Sequence, residues 1–597
     1  MSAIALTLPS LRAAYAAGTS PREIVEQVFA GIAAVADPAI FIHLLDKAEV
    51  LAAADALGAY DPTRPLWGVP YVIKDNIDAA GKPTTAACPA YEYVAAEDAF
   101  VVAQLRAAGA LLIGKTNLDQ FATGLVGVRS PYGVPRNSID PAIVPGGSSG
   151  GSGVAVGHGL VTFSLGTDTA GSGRVPAALN NIVGLKPTLG TLSASGVVPA
   201  CRTLDTISIF ALTVTDAYAV FSVASAYDAS DAYARRFPTR ALTAAPARLR
   251  VGIPDAGSVE FFGDSVQADS FARSVDALRQ SGAEIVEIDF APLYAVARML
   301  YEGAWVAERY TVIEDLLKTN PDAIHPVTRK IITAAEQLSA ADAFRGIYRL
   351  AELKRLAEPA LAGVDLLCVP TIPTFYSVAD LAADPIGPNS RLGTYTNFVN
   401  LLDMCGIAVP AARRSDGRPG SVTLLAPAGA DGLVAAVAQG LERHFPHNLG
   451  ATDWGFADAA PMAPAIEADE MEIAVCGAHM TGLPLNGQLT SRKGRFLRAV
   501  ESAPEYRFYA LAGGPPKRPG MVRVSSGGSA IKMEIWALPR AAFGDFVAGI
   551  PSPLGIGSVV LADGSSVKGF ICEAIGAEGA TDISHLGDWR AFLAQQA

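Results

Sequence analysis

The sequence predicts an α/β protein followed by a smaller, strand-rich α+β domain. Three observations carry this. From about residue 65 to 220, short apolar runs alternate with helical and glycine-rich stretches, the pattern of a sheet with reactive loops at its strand ends. From about Pro292 to Ala362 the pattern turns helical, with Tyr, Arg and Glu interspersed, which reads as a cover over the sheet. From Met471 onward, short runs alternate with Gly/Pro turns. The 597 residues exceed what one core needs. The expected division is 1–450 for the first domain, 451–469 for an Ala/Pro/acid-rich linker and 470–597 for the second domain.

Thr19-Ser20-Pro21, with Glu23 in the first turn, predicts a helix start. Val69–Ile73, Ala110–Ile113, Leu160–Leu165 and Ile207–Val214 read as buried strands, with a helix over Asp98–Ala108. Leu249–Ile253 and Glu284–Ile288 read as strands around a helix over Ser265–Ser281. Asp365–Val369 gives another buried strand, and Leu433–His444 a terminal helix. In the second domain Met471–Val475, Tyr506–Ala512, Gly520–Ser525, Ile531–Ala537 and Ser558–Leu561 are the expected strands.

Half the chain is apolar and 17% is charged, so it can bury a large core. No uninterrupted apolar run approaches the ~20 residues of a membrane helix. Met1 to Val35 lacks the basic start and apolar block of a signal peptide. The net charge of −12 disfavours nucleic acid as a partner. The six cysteines form no CxxC pair or metal-like cluster, and the expectation is buried free thiols in a reducing cytoplasm. The seven histidines are dispersed, so neither a metal nor any other cofactor is expected.

Two serines and a lysine carry the chemistry. Ser148 lies in Gly146-Gly147-Ser148-Ser149-Gly150-Gly151-Ser152, Ser172 in Asp168-Thr169-Ala170-Gly171-Ser172-Gly173-Arg174, and Lys74 just after a strand-like stretch. A serine needs a base before it attacks an amide, and Lys74 can serve only if burial or nearby positive charge lowers its pKa from ~10.4. Ser148 can relay the proton, because a hydroxyl both donates and accepts. Thr169, Ala170 and Gly171 offer backbone N–H groups for an oxyanion hole. Other readings stand beside this one. The Gly/Ser run is equally a flexible loop. The missing Gly-Lys-Ser/Thr disfavours a phosphate loop. Gly147-Ser148-Ser149-Gly150-Gly151 also fits the elbow of an α/β-hydrolase with Ser149 as nucleophile, but His158, His325, His444 and His447 sit in no recognisable partner loop.

These segments resemble the amidase signature family. The resemblance rests on Val69–Asn76, Gly114–Phe121, the Gly/Ser run and Asp168–Pro176, and spans roughly 1–450. It implies a central mixed sheet covered by helices. It assigns Ser172 as nucleophile, Ser148 as a bridging serine after a cis peptide, and Lys74 as base. Thr169–Ala177 and Gly477–Asn486 look like the allophanate hydrolase subgroup, whose C-terminal domain resembles the γ-glutamylcyclotransferase-like fold. The implied substrate is a small anionic amide. Arg309 is then the candidate carboxylate clamp, Tyr301, about two turns earlier on the helical cover, its hydroxyl partner, and Gly124 a point of close backbone approach. The duller alternatives are a surface ion pair of Arg309 with Glu302 or Glu308, core packing of Tyr301, and a simple turn at Gly124. In the second domain His479 and Glu534 are the suggestive polar residues, for decarboxylating a first product or for plain structural support of dimerisation and assembly. A general amidase, an amidotransferase subunit acting with tRNA, and a scaffold of a larger nitrogen-metabolism assembly are the competing functions.

Overall fold

A computed structural model describes residues 3–456 and 466–596. These residues divide into two compact units. The larger holds most of the chain up to residue 456; the smaller holds the residues from 466 together with Arg240–Arg250 and Gly282–Glu284. Part of the expected linker, 457–465, lies outside the described residues.

The larger unit is built on eleven strands: β1 (Phe41–Leu44), β2 (Pro70–Lys74), β3 (Leu111–Thr116), β4 (Phe163–Asp168), β5 (Val183–Lys186), β6 (Thr206–Ala211), β7 (Arg250–Pro254), β8 (Glu284–Ile288), β9 (Leu366–Pro370), β10 (Met404–Pro410) and β11 (Ser421–Pro427). They lie in the order β1-β3-β2-β4-β6-β5-β10-β11-β9-β7-β8. The sheet is mixed. β2 runs parallel to both β3 and β4, β6 runs antiparallel to β4, and β5, β10 and β11 continue antiparallel. Strands β2 to β6 are buried along their whole length, which is why β2, β3, β4 and β6 read as continuous runs rather than alternating ones.

Several boundaries differ from expectation for physical reasons. The strand expected from Leu160 is Phe163–Asp168. It runs on into polar Gly166-Thr167-Asp168 because β6 pairs with it down to Asp168. The strand expected to reach Val214 stops at Ala211, since Thr213 caps a new helix by accepting from Asp216 N. β1, β5, β10 and β11 were not expected. Ser20 and Glu23 form a reciprocal capping box, as their spacing suggests.

Six helices matter for the site: α1 (Gly150–Gly157), α2 (Val175–Leu179), α3 (Ala291–Glu302), α4 (Trp305–Thr319), α5 (Ala340–Ala362) and α6 (Asp431–His444). The Gly/Ser run is no flexible loop: it opens α1, every residue of which is buried. A Cβ at Gly151 would lie 2.3 Å from Ile40 O and 2.6 Å from Asn117 N, so only glycine admits the helix here. The helical cover is real, but Tyr301 and Arg309 lie on different helices. Gly303 takes an extended conformation and ends α3 before α4 begins.

The smaller unit carries β12 (Glu470–Val475), β13 (Arg495–Glu501), β14 (Tyr506–Ala510), β15 (Pro519–Arg523), β16 (Lys532–Pro539), β17 (Leu554–Val560), β18 (Ser566–Cys572) and β19 (Thr581–Asp582). They form a five-stranded sheet, β13-β16-β12-β18-β17, and a three-stranded one, β15-β14-β19. The helices Arg540–Ala548 and Trp589–Ala594 make this unit α+β, and Ile535, Trp536, Phe508 and Trp589 are among its core residues. β13, β18 and β19 were missed in the sequence.

Candidate active site

Parallel pairing puts the ends of β2, β3 and β4 side by side, with Lys74 level with Thr116 and Ile73 with Leu165. Lys74 therefore reaches Thr167 near the end of β4 and the Gly/Ser run that opens α1. Its Nζ donates to Ser148 Oγ and to Thr167 Oγ1, each at 2.7 Å. Lys74, Ser148 and Ser172 are all buried, and the Gly147–Ser148 peptide is cis. Burial lowers the lysine's pKa to about 7; Asp119, Asp205 and Asp168 oppose the shift, and Arg309 adds to it. A large neutral fraction near pH 7 is what a base needs.

Ser172 Oγ makes no hydrogen bond among the described residues. Its turn is wrapped around Asp168, whose carboxylate accepts from Gly171 N, Gly173 N and both arms of Arg174. Asp168 and Arg174 are fully buried. Burial pushes the Asp168 carboxyl up, but Arg174, Lys186 and the Gly173 N–H outweigh it and hold the group below the usual carboxylate range. Asn400 braces the same turn from behind, donating to the carbonyls of Asp168 and Leu204.

The three residues expected to form the oxyanion hole divide. Gly171 N–H is engaged by Asp168 Oδ1 at 3.0 Å, so it is removed from the set. The N–H groups of Thr169 and Ala170 have no acceptor among the described residues. Ser149 is placed structurally: its buried Oγ donates to Thr167 O on β4, with no histidine among its hydrogen-bond partners. The α/β-hydrolase reading therefore has no base for its nucleophile.

Gly124 packs against Asp119. A Cβ there would sit 2.4 Å from Asp119 Oδ2. The Asp119 carboxylate accepts from the N–H groups of Val126, Gly127 and Arg129, and Asp119 N donates to Ser148 O. The loop containing Gly124 is thus anchored to the segment that carries Ser148.

Arg309 is 2% exposed. It makes no ion pair with Glu302 or Glu308; Glu308 instead accepts from Thr203 N and Oγ1. Arg309 Nη1 donates to Thr123 Oγ1 at 3.2 Å, its guanidinium lies 5.3 Å from the centroid of the Tyr301 ring, and its Nε and Nη2 have no partner among the described residues. Burial works against its charge, but Cys201, Tyr301, Asp205 and Glu308 outweigh that, and its pKa rises. A buried cation with two vacant donors is suited to a planar anion. Tyr301 also lines a half-open cavity of about 510 Å³ with Tyr294, Arg298, Glu302, Thr394 and Asn397.

In the smaller unit His479 stacks on Phe570 and borders a cavity of about 260 Å³ with Cys476, Gln488 and Arg518. Its Nε2 lies 3.0 Å from Gln488 Oε1, and burial lowers its pKa. Glu534 does not line that cavity. Its oxygens accept from Arg590, from Thr481 N and Oγ1, and from Trp536 Nε1, so it ties the core together rather than presenting a reactive group.

Sequence reasoning missed Thr167, Asp119, Asp168, Arg174 and Asp205. Asp119, Asp168 and Arg174 stood inside the quoted motifs. The signal for the last two was a charged pair flanking the serine turn in an otherwise small-residue segment.

Comparison with known proteins identifies the family of both domains. Residues 23–435 match the family described as Amidase, and residues 471–594 the allophanate hydrolase C-terminal domain. A structure of Kluyveromyces lactis allophanate hydrolase is 41% identical, with a TM-score of 0.78 over 99% of each chain. That of K. lactis urea amidolyase is 40% identical, with a TM-score of 0.80 over 99% of this chain and 37% of that one. The urea amidolyase of Lachancea kluyveri is 45% identical over 546 residues, 89% of this chain and 30% of the relative. The chain thus spans about a third of the length of the urea amidolyases it matches. With the amidase region covering most of its length, the chain belongs to the amidase family, and it ends in a domain of the allophanate hydrolase type.

Proposed function

We propose that the protein hydrolyses allophanate at its amide. Ser172 attacks the terminal amide carbon. Ser148 takes the serine proton and passes its own to neutral Lys74, and the N–H groups of Thr169 and Ala170 receive the charge on oxygen. The same route in reverse protonates the departing nitrogen, and ammonia leaves. Water, deprotonated along that route, then releases the acyl group as N-carboxycarbamate, which breaks down to carbon dioxide and ammonia. No cofactor is needed, since the protein supplies both base and electrophilic donors.

The observation that carries the substrate class is the pair of unpartnered donors on buried Arg309. They suit the carboxylate that allophanate carries and a simple amide lacks, with Tyr301 and the backbone at Gly124 bounding the site. The name of the allophanate hydrolase relative points to the same chemistry. The test is ammonia release from allophanate, biuret, malonamide and a fatty amide. Ser172→Ala should abolish turnover with folding intact, whereas Ser149→Ala should keep most of it. Turnover of larger neutral amides alone would favour the general amidase instead.

The His479 cavity supports a site for decarboxylating the first product; assembly is the alternative role for this domain. A homodimer is favoured by α5, whose outward face exposes Phe344, Ile347 and Tyr348 together. The acidic balance and the C-terminal domain weigh against a tRNA-dependent amidotransferase. Six buried, unpaired cysteines support a reducing, cytoplasmic setting.

A further inference from the structure

The turn Cys201–Asp205, which the catalytic scheme does not use, touches both halves of the site. On one side the Asp205 carboxylate accepts from Thr169 Oγ1 in a very short hydrogen bond. It also accepts from Ala200 N at 2.7 Å and Cys201 N at 3.1 Å, so it is held by its own turn. The sheet register dictates this meeting: β4 and β6 pair Asp168 with Thr206, which sets Asp205 opposite Thr169. On the other side Thr203 donates through N and Oγ1 to Glu308, at 2.6 and 2.8 Å. Cys201 Sγ reaches Trp305 O at 3.6 Å. Trp305 and Glu308 belong to α4, the helix that carries Arg309. Inside the turn, Leu204 N and Asp205 N both donate to Cys201 O at 2.8 Å, which makes it a closed unit.

We infer that this turn is a spacer that fixes the distance between the oxyanion donors at Thr169 and Ala170 and the guanidinium of Arg309, with Asp205 and Glu308 as its two positioning residues. The span between those groups selects the substrate: one planar unit must place its carbonyl oxygen at the first and its carboxylate at the second. The inference rests on the allophanate reading. Neither Asp205 nor Glu308 touches substrate; each acts through a neighbour, Thr169 or Arg309.

The two anchors predict different kinetic signatures. Glu308→Ala frees α4 from the turn, and KM for allophanate should rise about tenfold while kcat stays within about twofold. Turnover of a neutral amide, which has no carboxylate for Arg309, should be unchanged. Glu308→Gln keeps an acceptor for Thr203 and should recover most of the loss. Thr169→Val removes the hydroxyl that Asp205 holds but keeps the N–H. Its kcat should fall about ten- to hundredfold on both substrates, with KM little changed, and Thr169→Ser should restore it. Asp205→Ala combined with Thr169→Val should be no worse than the poorer single variant, since both break one link. Melting curves confirm that each variant is folded. Equal loss on allophanate and neutral amide in Glu308→Ala, no rescue by glutamine, or additive loss in the double variant would overturn the spacer. Wild-type protein that ignores allophanate but cleaves neutral amides overturns the substrate reading and the spacer together, so the two failures are distinct.

Discussion

Asp168 and Arg174 close a two-armed ion pair, 2.9 Å on each arm, around the turn that carries Ser172. Neither side chain is exposed. The Ser172 turn thus owes its place to a buried ion pair. Arg174→Leu leaves the carboxylate buried without its counter-charge. We expect a stability loss of about 3–5 kcal/mol in denaturant unfolding and, in whatever folds, a kcat lowered at least about a hundredfold with KM little changed. Near-normal kcat would show that the turn holds itself.

Lys74 predicts the acid limb of the pH–rate profile. Its pKa stands at about 7, and only the neutral amine accepts a proton. Activity should therefore fall as pH drops through about 7 and level off above it. Lys74→Arg, charged at every accessible pH, should be inactive throughout. Lys74→Ala should lose about a thousandfold or more and show no such limb. A wild-type limb near pH ~4 would point to a carboxylate instead.

Gly124→Ala drives a methyl group to 2.4 Å from Asp119 Oδ2. Asp119 holds three N–H groups and its own N–H reaches Ser148 O, so any shift reaches the relay serine. A loss of about 1–3 kcal/mol in stability is expected, with a fall in kcat. Unchanged kcat with a raised KM in the Gly124→Ala variant would make Gly124 a ligand contact alone.

Glu534→Ala removes the acceptor for Arg590, Thr481 and Trp536 in the smaller unit. Arg590 Nη1 already lacks a partner, so the half-buried guanidinium would be left without its counter-charge. The smaller unit should lose about 3 kcal/mol or more, seen as an earlier, separate step in thermal unfolding. His479→Ala, which removes a ring stack and one hydrogen bond to Gln488 but leaves no charge unpaired, should cost less.

The candidate set of Lys74, Ser148 and Ser172 was legible because the chemistry proposed for it needs special backbone. Ser148 and Ser172 sit in glycine-rich runs that few other functions require, and Lys74 ends an apolar strand. Buried strands such as Pro70–Lys74 and Leu366–Pro370 were readable from apolarity alone. Val183–Lys186 and Met404–Pro410 were not, since short buried strands containing Gly or Pro look like turns until partners supply their hydrogen bonds. Tyr301 and Arg309 read as neighbours on one helix, whereas they lie on two. The break at Gly303 shows that a helical composition does not fix where a helix ends.

What the sequence by itself determined is the candidate set proposed here as reactive, Lys74, Ser148 and Ser172, and the presence of a sheet beneath them. Local composition suffices for both, because glycine-rich turns and apolar runs are properties of adjacent residues. What only the tertiary structure decided is which groups are spent and which are available. Gly171 N–H is taken by Asp168, Ser149 by β4, Glu308 by Thr203 and Glu534 by Arg590, while Arg309 keeps two vacant donors. Hydrogen-bond saturation of a buried group depends on partners dozens to hundreds of residues away. No periodicity in the chain encodes it.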